Sequence, residues 1–289
     1  MSLSMWRYRR RAARLARSAR PVATRRRVLH PGFLVVLVVV LTALAWQRGA
    51  LEPVIGLAPP RAMVSVEGRL VSVPAPVEGA VRPRPPVPVT TSGAYAFLHD
   101  GPTGEPVGFD PCRPIRYVVR PDGAPAVGQQ LVAESVAVIA AATGLTFVDA
   151  GLTSEEPDLE RPLVQARYGD GWAPVLLAWS DETVYPELAG PTAGLGGASV
   201  VPGADGRSQF LAGGRVLLDA PDLSAILVGP DGYARARAVV VHELAHVVGL
   251  DHVDTPDELM APVTGARTDL GEGDLAGLAR VGQVACDGA

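Results

Sequence analysis

The chain has 289 residues, of which 48% are apolar and 19% are charged, so it can form a packed core and carry additional segments. Residues 1–30 hold ten arginines and no acidic residue, which leaves 16 basic against 30 acidic residues, a net charge of −14, for the remainder. An acidic body of this kind excludes a main domain that binds nucleic acid through a basic face. All basic residues are arginine, and with abundant Ala, Val and Gly this composition indicates a GC-rich bacterial genome.

An apolar segment follows the basic segment 1–30. Residues 31–47 contain no charged residue and reach the lower limit of about 17 residues that a spanning helix needs. The arginine excess before them predicts a single-pass signal anchor, with the N-terminus in the cytoplasm and the following domain outside it. Two alternatives also export the domain: a secretory signal cleaved after Ala43-Leu44-Ala45, and a twin-arginine signal at Arg25-Arg26.

Residues 48–95 are rich in Pro, Val and Gly and are predicted to form a stiff stalk or linker. Residues 83–88 read Pro-Arg-Pro-Pro-Val-Pro, which permits only extended or irregular backbone. Within the linker, residues 63–73 alternate apolar and polar side chains well enough for a short strand or hairpin. A small propeptide-like element at that place is the alternative to a plain stalk.

Residues 96–289 have the composition of a globular domain, and apolar periodicity predicts its elements. In chain order they are a strand at 115–119, a helix at 127–143, strands at 145–148, 174–179 and 215–219, and helices at 233–249 and 273–281. The very apolar strand at 174–179 is predicted to be central in the sheet. The glycine-rich residues 189–214 are predicted to form loops around a short hairpin.

Three of the five histidines lie in residues 242–252, which read His-Glu-Leu-Ala-His-Val-Val-Gly-Leu-Asp-His. His242 and His246 are four residues apart and lie on one face of a helix, where two imidazoles can hold one zinc ion. Gly249 allows a left-handed turn that ends the helix and brings His252 to the same metal. Three neutral nitrogen ligands and one open position are what a catalytic zinc requires, and Glu243 is placed to take a proton from its water.

This sequence has the form H-E-x-x-H-x-x-G-x-x-H and resembles the metzincin metallopeptidases. Met260 stands eight residues after His252, where that family has its Met-turn, and the spacing is most similar to the matrixin branch. The resemblance implies an α+β fold: a twisted mixed sheet of about four to five strands, two packed helices, the active-site helix, the Met-turn and a C-terminal helix. It also implies a zinc endopeptidase acting on proteins or peptides, with one catalytic zinc on His242, His246 and His252 and with Glu243 as general base.

The resemblance also implies how the residues around the zinc are arranged. Met260 supports the three imidazoles from below without binding the metal. The substrate lies extended along a sheet edge, for which residues 215–219 are the candidate, and residues 263–270 form one wall of the specificity pocket. A structural zinc of the vertebrate type is not expected, because only His30 and His99 remain outside the motif. The loop at 203–206 offers oxygen atoms for Ca²⁺, but no EF-hand spacing supports such a site.

Cys112 and Cys286 stand before the first strand and after the last helix of the predicted domain. Outside the cytoplasm two cysteines most simply form a disulfide, which here would tie the two ends of the domain together. The alternative, drawn from the matrixin resemblance, is a latency switch in which the Cys112 thiolate occupies the open zinc position. The residues around Cys112 (Asp-Pro-Cys-Arg-Pro) match the family's latency motif poorly.

Three other functions compete with a peptidase. A surface-anchored binding module would keep the fold and use the cleft for recognition only. A structural envelope protein would carry the motif by chance, and another H-E-x-x-H class would take its third ligand from an acid such as Glu272. The intact Glu243 and the position of His252 favour a peptidase. We separately expect a monomer that is anchored in the membrane through residues 31–47.

Overall fold

The computed structural model describes residues 63–66, 69–72 and 81–287, except 102, 170, 204, 206 and 263–266. The predicted basic segment 1–30 and the predicted transmembrane segment 31–47 lie outside the described residues. Among the helices of the described part, none is both long enough and apolar enough to cross a bilayer.

A five-stranded mixed sheet forms the centre of the domain. Its strands, in spatial order, are β5 (Phe147–Leu152), β4 (Ile115–Val119), β6 (Val175–Ser180), β8 (Gln209–Asp219) and β7 (Gly194–Pro202). The first four run parallel, and β7 runs antiparallel to β8 at the edge. The mixed sheet with its flanking helices confirms the predicted fold class.

Side chains of the inner strands alternate between two apolar faces of the sheet. Leu177 and Leu218 join the main core on one face, whereas Leu176 and Leu217 pack with Leu188 on the other. Because both faces are covered, the inner strands read as nearly continuous apolar runs. Five of the six residues of β6 are buried, which confirms its predicted central place.

Four helices flank the sheet in the described part of the chain. They are α1 (Gly128–Thr143), α2 (Ala220–Leu227), α3 (Gly232–Val247) and α4 (Glu272–Val281). Ile139 of α1 and Leu244 of α3 belong to the same core as the sheet, and the two helices pack against each other. Helix α2 was not predicted from the sequence; it begins directly after β8, where the Asp219 carboxylate accepts the N–H of Asp222 at 2.8 Å as a cap.

The glycine-rich residues 189–214 contain the predicted hairpin, but it is longer than predicted and its strands take up most of the stretch that was expected to be loops. β7 and β8 pair along their length, from Gly194 opposite Leu218 at one end to Pro202 opposite Gln209 at the other. The prediction that residues 215–219 form the sheet edge was wrong, because β8 lies between β6 and β7. Main-chain hydrogen bonds to the apolar β8 order the glycine-rich β7, which strand propensity does not anticipate.

The described part of the predicted linker, residues 81–95, contacts the domain. The Arg84 guanidinium donates to the carbonyls of Ala140 at 3.3 Å and Leu145 at 3.4 Å, and the Arg82 guanidinium donates to the carbonyl of Gly282. These carbonyls lie at or just beyond the C-terminal ends of α1 and α4, where the helix dipole favours cations. Farther upstream, β1 (Met63–Val66) and β2 (Arg69–Ser72) form the antiparallel hairpin that the alternation in 63–73 indicated.

Cys112 and Cys286 form a disulfide, with their Cα atoms 5.5 Å apart. The bond joins residues 174 positions apart in the chain, for which loop-closure entropy gives on the order of 4–5 kcal/mol as an upper value. The Cys112 sulfur is bonded to Cys286, so it is not available as the zinc ligand of a latency switch.

A buried ion pair anchors the loop between β5 and β6. Arg161 donates from Nε and Nη2 to the two Glu155 oxygens at 2.7 and 2.9 Å, and from Nη1 to the carbonyl of Gly214 on β8 at 3.1 Å. Tyr168 and Gln165 donate to the same carboxylate at 2.6 Å each. Burial alone would raise the pKa of Glu155, but the hydrogen bonds outweigh burial and the pKa of this carboxyl lies below its usual value.

Glu155→Gln is expected to lower the free energy of unfolding by about 3 kcal/mol at pH 7, because Arg161 stays buried without its counter-charge. Since folding lowers the pKa of Glu155, the ionised carboxylate contributes stability above its unfolded-state pKa, and this contribution is lost as the pH falls through the folded-state value. The difference between wild type and variant should therefore shrink below about pH 4. Urea unfolding at pH 7, 5 and 3 measures it, with the exposed Glu160→Gln of the same loop as control. An equal difference at pH 3 and pH 7 would contradict the assignment.

Candidate metal centre and active site

The end of α3 and the turn that follows it bring three histidines together. His242 is half-buried and His246 is buried, one turn apart on the same helix. Gly249 then reverses the chain with a φ of 116°, and a Cβ at this position would lie 2.9 Å from a backbone oxygen, so the turn requires glycine. After the short strand β9 (Leu250–Asp251), which pairs with β3 (Ala96–Phe97), His252 returns to the other two rings.

The Nε2 atoms of the three histidines converge, with each of the three pairs 3.1 Å apart. The Nδ1 atom of His242 lies 2.8 Å from the carbonyl oxygen of Leu259, and that of His246 lies 2.8 Å from the carbonyl oxygen of Leu250. A carbonyl oxygen only accepts, so each of these Nδ1 atoms carries the hydrogen of the neutral ring. The Nε2 atoms of His242 and His246 therefore present bare lone pairs towards each other and towards His252.

Bare lone pairs at this distance repel each other unless a cation lies among them. Nitrogens bound to zinc at about 2.0–2.1 Å in tetrahedral arrangement lie about 3.3 Å apart, close to the 3.1 Å found here. No carboxylate or thiol of the described residues joins the cluster, which leaves the fourth position to water. The three histidines thus fit one zinc ion of the catalytic kind.

Burial keeps the rings of His242 and His246 neutral. Burial lowers the pKa of His242 to about 4; the neighbouring His246 and His252 also lower it, and the hydrogen bond to the Leu259 carbonyl opposes the shift. Burial likewise lowers the pKa of His246. Because neutral imidazole is the form that binds metal, both rings are ready ligands at neutral pH.

Glu243 follows the first histidine on α3 and is only 7% exposed. Burial raises the pKa of its carboxyl to about 7, and a hydrogen bond from the backbone N–H of Gly196 on β7 opposes that shift. A carboxyl whose pKa lies near the working pH can both accept and return a proton. This is the property that a general base beside a metal-bound water needs.

Glu243 and the three histidines line one open cleft of about 620 Å³. Its other walls include residues 193–196 at the free edge of β7, Val239 on α3, and Ala261 and Pro262. Of the predicted pocket wall 263–270, residues 263–266 lie outside the described residues. A separate pocket of about 240 Å³, beside Trp172, is lined by none of the four site residues, so the chemistry belongs to the larger cleft.

Met260 lies in a turn after His252 and is 1% exposed. The carboxylate of Asp274, in the first turn of α4, accepts the backbone N–H of Leu259 at 2.6 Å and that of Met260 at 3.2 Å. Leu259 in turn accepts the Nδ1–H of His242. Asp274 therefore holds the peptide that orients one of the three rings.

Glu258 makes the reciprocal contacts, from the turn that carries Met260 to the start of α4. Its carboxylate accepts the backbone N–H groups of Gly273 at 2.9 Å and Asp274 at 3.0 Å, at the start of α4. Glu258 and Asp274 are 4% and 1% exposed, and each binds the backbone beside the other. Neither residue was predicted from the sequence: Glu258 precedes no predicted helix, and the position of Asp274 in a first helical turn is shared by the exposed Glu272.

The remaining sequence candidates lie away from the histidine cluster. His99 is exposed, and His30 lies outside the described residues. Glu272, the rival third ligand, is exposed in the first turn of α4 and is not part of the cluster. Asp205, in the loop considered for Ca²⁺, accepts two backbone N–H groups at 2.8 Å each, as in a plain turn.

The C-terminal part of the chain matches the model of one peptidase family. The family model of the matrixins, Peptidase_M10, matches residues 190–281. The crystal structure of archaemetzincin from Methanopyrus kandleri is similar with a TM-score of 0.37 and 16% identity, over 57% of this chain and 93% of that chain. No curated protein matches the chain. The residues matched by the matrixin model include the three histidines, Glu243 and Met260, and together with the geometry of the cluster they support a zinc metallopeptidase.

Proposed function

We propose that this protein is a zinc-dependent endopeptidase that hydrolyses peptide bonds of extracytoplasmic proteins. The observation that carries the proposal is the convergence of three Nε2 atoms, each pair 3.1 Å apart, next to the buried Glu243 in an open cleft. Carbonyl groups orient two of the rings through their Nδ1 atoms, as in metal sites whose ligands are held by neighbouring hydrogen bonds. The matrixin match over residues 190–281 supports the same class of reaction.

His242, His246 and His252 would hold the metal. When bound there, Zn²⁺ lowers the pKa of a water molecule towards about 7 and polarises the scissile carbonyl. Glu243 accepts a proton from the attacking water and delivers it to the nitrogen of the leaving amine. An extended substrate would pair with the free edge of β7 along residues 193–196, which line the cleft beside Glu243.

We also propose that the domain acts outside the cytoplasm, anchored through residues 31–47 with the N-terminus inside. Ten arginines before an uncharged apolar segment favour this orientation, and the Cys112–Cys286 disulfide is typical of an oxidising compartment. Cleavage of the segment as a signal would give a secreted form instead. Immunoblotting of membrane and culture-medium fractions distinguishes the two, and detection in the cytosol alone would contradict both.

The full-length protein, purified in detergent, tests the peptidase assignment. We expect one zinc ion per chain by mass spectrometry and cleavage of casein that a chelator abolishes and added Zn²⁺ restores. Zinc without cleavage would indicate the non-catalytic binding module, and a protein without zinc would indicate a structural envelope protein. Either outcome would overturn the proposal.

A further inference from the structure

Strand β7 passes α3 so closely at Glu243 that two of its positions have no room for a side chain. A Cβ at Gly194 would lie 2.7 Å from Cγ, 3.0 Å from Cδ and 3.1 Å from Oε1 of Glu243. A Cβ at Gly196 would lie 2.1 Å from the backbone oxygen of the same residue. Neither glycine has a positive φ, so the reason for glycine at these two positions is space and not backbone conformation.

The strand cannot move away from α3 to make room. Gly194 is paired with Leu218 and Gly196 with Val216 of β8, and both partners are almost completely buried in the main core. A side chain added to β7 would therefore displace Glu243 before it displaced the strand. At Gly194 the three nearest atoms belong to the side chain of Glu243, whereas at Gly196 they belong to the helix backbone.

The same strand also provides a polar contact to this carboxylate. The backbone N–H of Gly196 donates to the Glu243 carboxylate, which is otherwise buried. Gly194 thus bounds the stem of the side chain, and Gly196 binds its end. The two glycines therefore confine the Glu243 carboxylate to one position beside the histidines, between α3 and β7.

We propose that Gly194 and Gly196 are positioning residues for Glu243, and that the edge strand thereby sets the place of the general base relative to the metal-bound water. The inference rests on the proposed peptidase function. It explains why a strand that borders the cleft is built from glycine at the cost of strand propensity. It also assigns a role to residues that neither bind the metal nor exchange protons.

The first test compares Gly194→Ala with Gly197→Ala in the full-length, zinc-loaded protein. Gly197 lies on the same strand, has nothing within 4 Å of an added Cβ and does not line the cleft, so it is the matched control. Because displacing a reacting group by about 1 Å can cost about 100-fold in rate, we expect kcat of Gly194→Ala to fall about 10- to 100-fold. KM and zinc content should stay near the wild-type values, and Gly197→Ala should resemble wild type in all three.

A stability measurement keeps the test decisive if Gly194→Ala is poorly folded. Glu243→Ala removes the Cγ and Cδ atoms that the new methyl group would meet. We therefore expect Gly194→Ala to lower the melting temperature in the wild-type background and to leave it unchanged in the Glu243→Ala background.

Three results would overturn the inference. They are a kcat of Gly194→Ala within twofold of wild type, an equal loss in Gly197→Ala, or the same loss of melting temperature in both backgrounds. An inactive but zinc-loaded wild-type protein would overturn the proposed function together with the inference. An active wild type with an unaffected Gly194→Ala would overturn the inference alone.

Discussion

Glu243→Gln is expected to lower kcat for casein cleavage by about 10²- to 10⁴-fold, the range that general acid–base catalysis contributes, while leaving one zinc ion bound. The glutamine keeps the size of the side chain but cannot accept the proton of the attacking water. Glutamine has the same Cγ, Cδ and Oε1 atoms that lie closest to Gly194, so it should fit the same space between α3 and β7. Steady-state kinetics together with zinc analysis by mass spectrometry measures both quantities.

His246→Ala is the comparison that separates the two roles within the motif. This variant removes one of the three converging nitrogens, so it should lose zinc and cleavage together. If Glu243→Gln cleaved casein at the normal rate, the role of general base would belong to another group. If it lost zinc as His246→Ala does, Glu243 would have to be counted among the residues that hold the metal.

Asp274→Ala is expected to lower the free energy of unfolding by about 3–4 kcal/mol, because it leaves three buried backbone N–H groups without an acceptor. These belong to Leu259, Met260 and Gly271, at 2.6, 3.2 and 2.7 Å from the carboxylate. Leu259 also orients His242 through its carbonyl, so the zinc dissociation constant should rise about 10-fold as well. Chemical denaturation and competition with a chromogenic chelator give the two values.

Glu272→Ala is the matched control for this prediction. Glu272 lies in the same first turn of α4 but is exposed, so its removal should change stability by less than about 0.5 kcal/mol and leave zinc affinity unaltered. A stability of Asp274→Ala within that margin of wild type would show that the Met-turn is held by its apolar packing alone. A loss of stability without a change in zinc affinity would show that the turn does not influence metal binding by His242.

The predictions from sequence succeeded where the apolar periodicity of a segment was consistent with only one type of secondary structure. The apolar strand at 174–179 is central, and the helices predicted at 127–143 and 273–281 match α1 and α4 within one residue at each end. In the glycine-rich stretch 189–214 they gave a hairpin that is too short, since β7 is ordered by its partner strand and by its closeness to α3 and not by its own propensity. The place of β8 inside the sheet also depends on which strands meet across long connections, and local patterns do not contain that information.

The four site residues of the motif were predictable because their spacing follows from helix geometry and from one glycine turn. Glu258 and Asp274 were not, because their partners are backbone N–H groups that every residue but proline carries. The sequence therefore does not distinguish an acidic residue that is buried against backbone N–H groups from one that lies on the surface. Only the meeting of the Met-turn with α4 distinguishes Asp274 from the exposed Glu272.

By itself, the amino-acid sequence indicated the class of fold through its family resemblance. It also predicted three histidines as metal ligands and Glu243 as the base, because residues close together in the chain carry that chemistry at a fixed helical spacing. Tertiary structure alone decided which strand borders the cleft, why that strand is made of glycine beside Glu243, and which buried acids hold the Met-turn. Those features arise from close approach between segments that are distant in sequence, and such contacts depend on the packing of the whole domain.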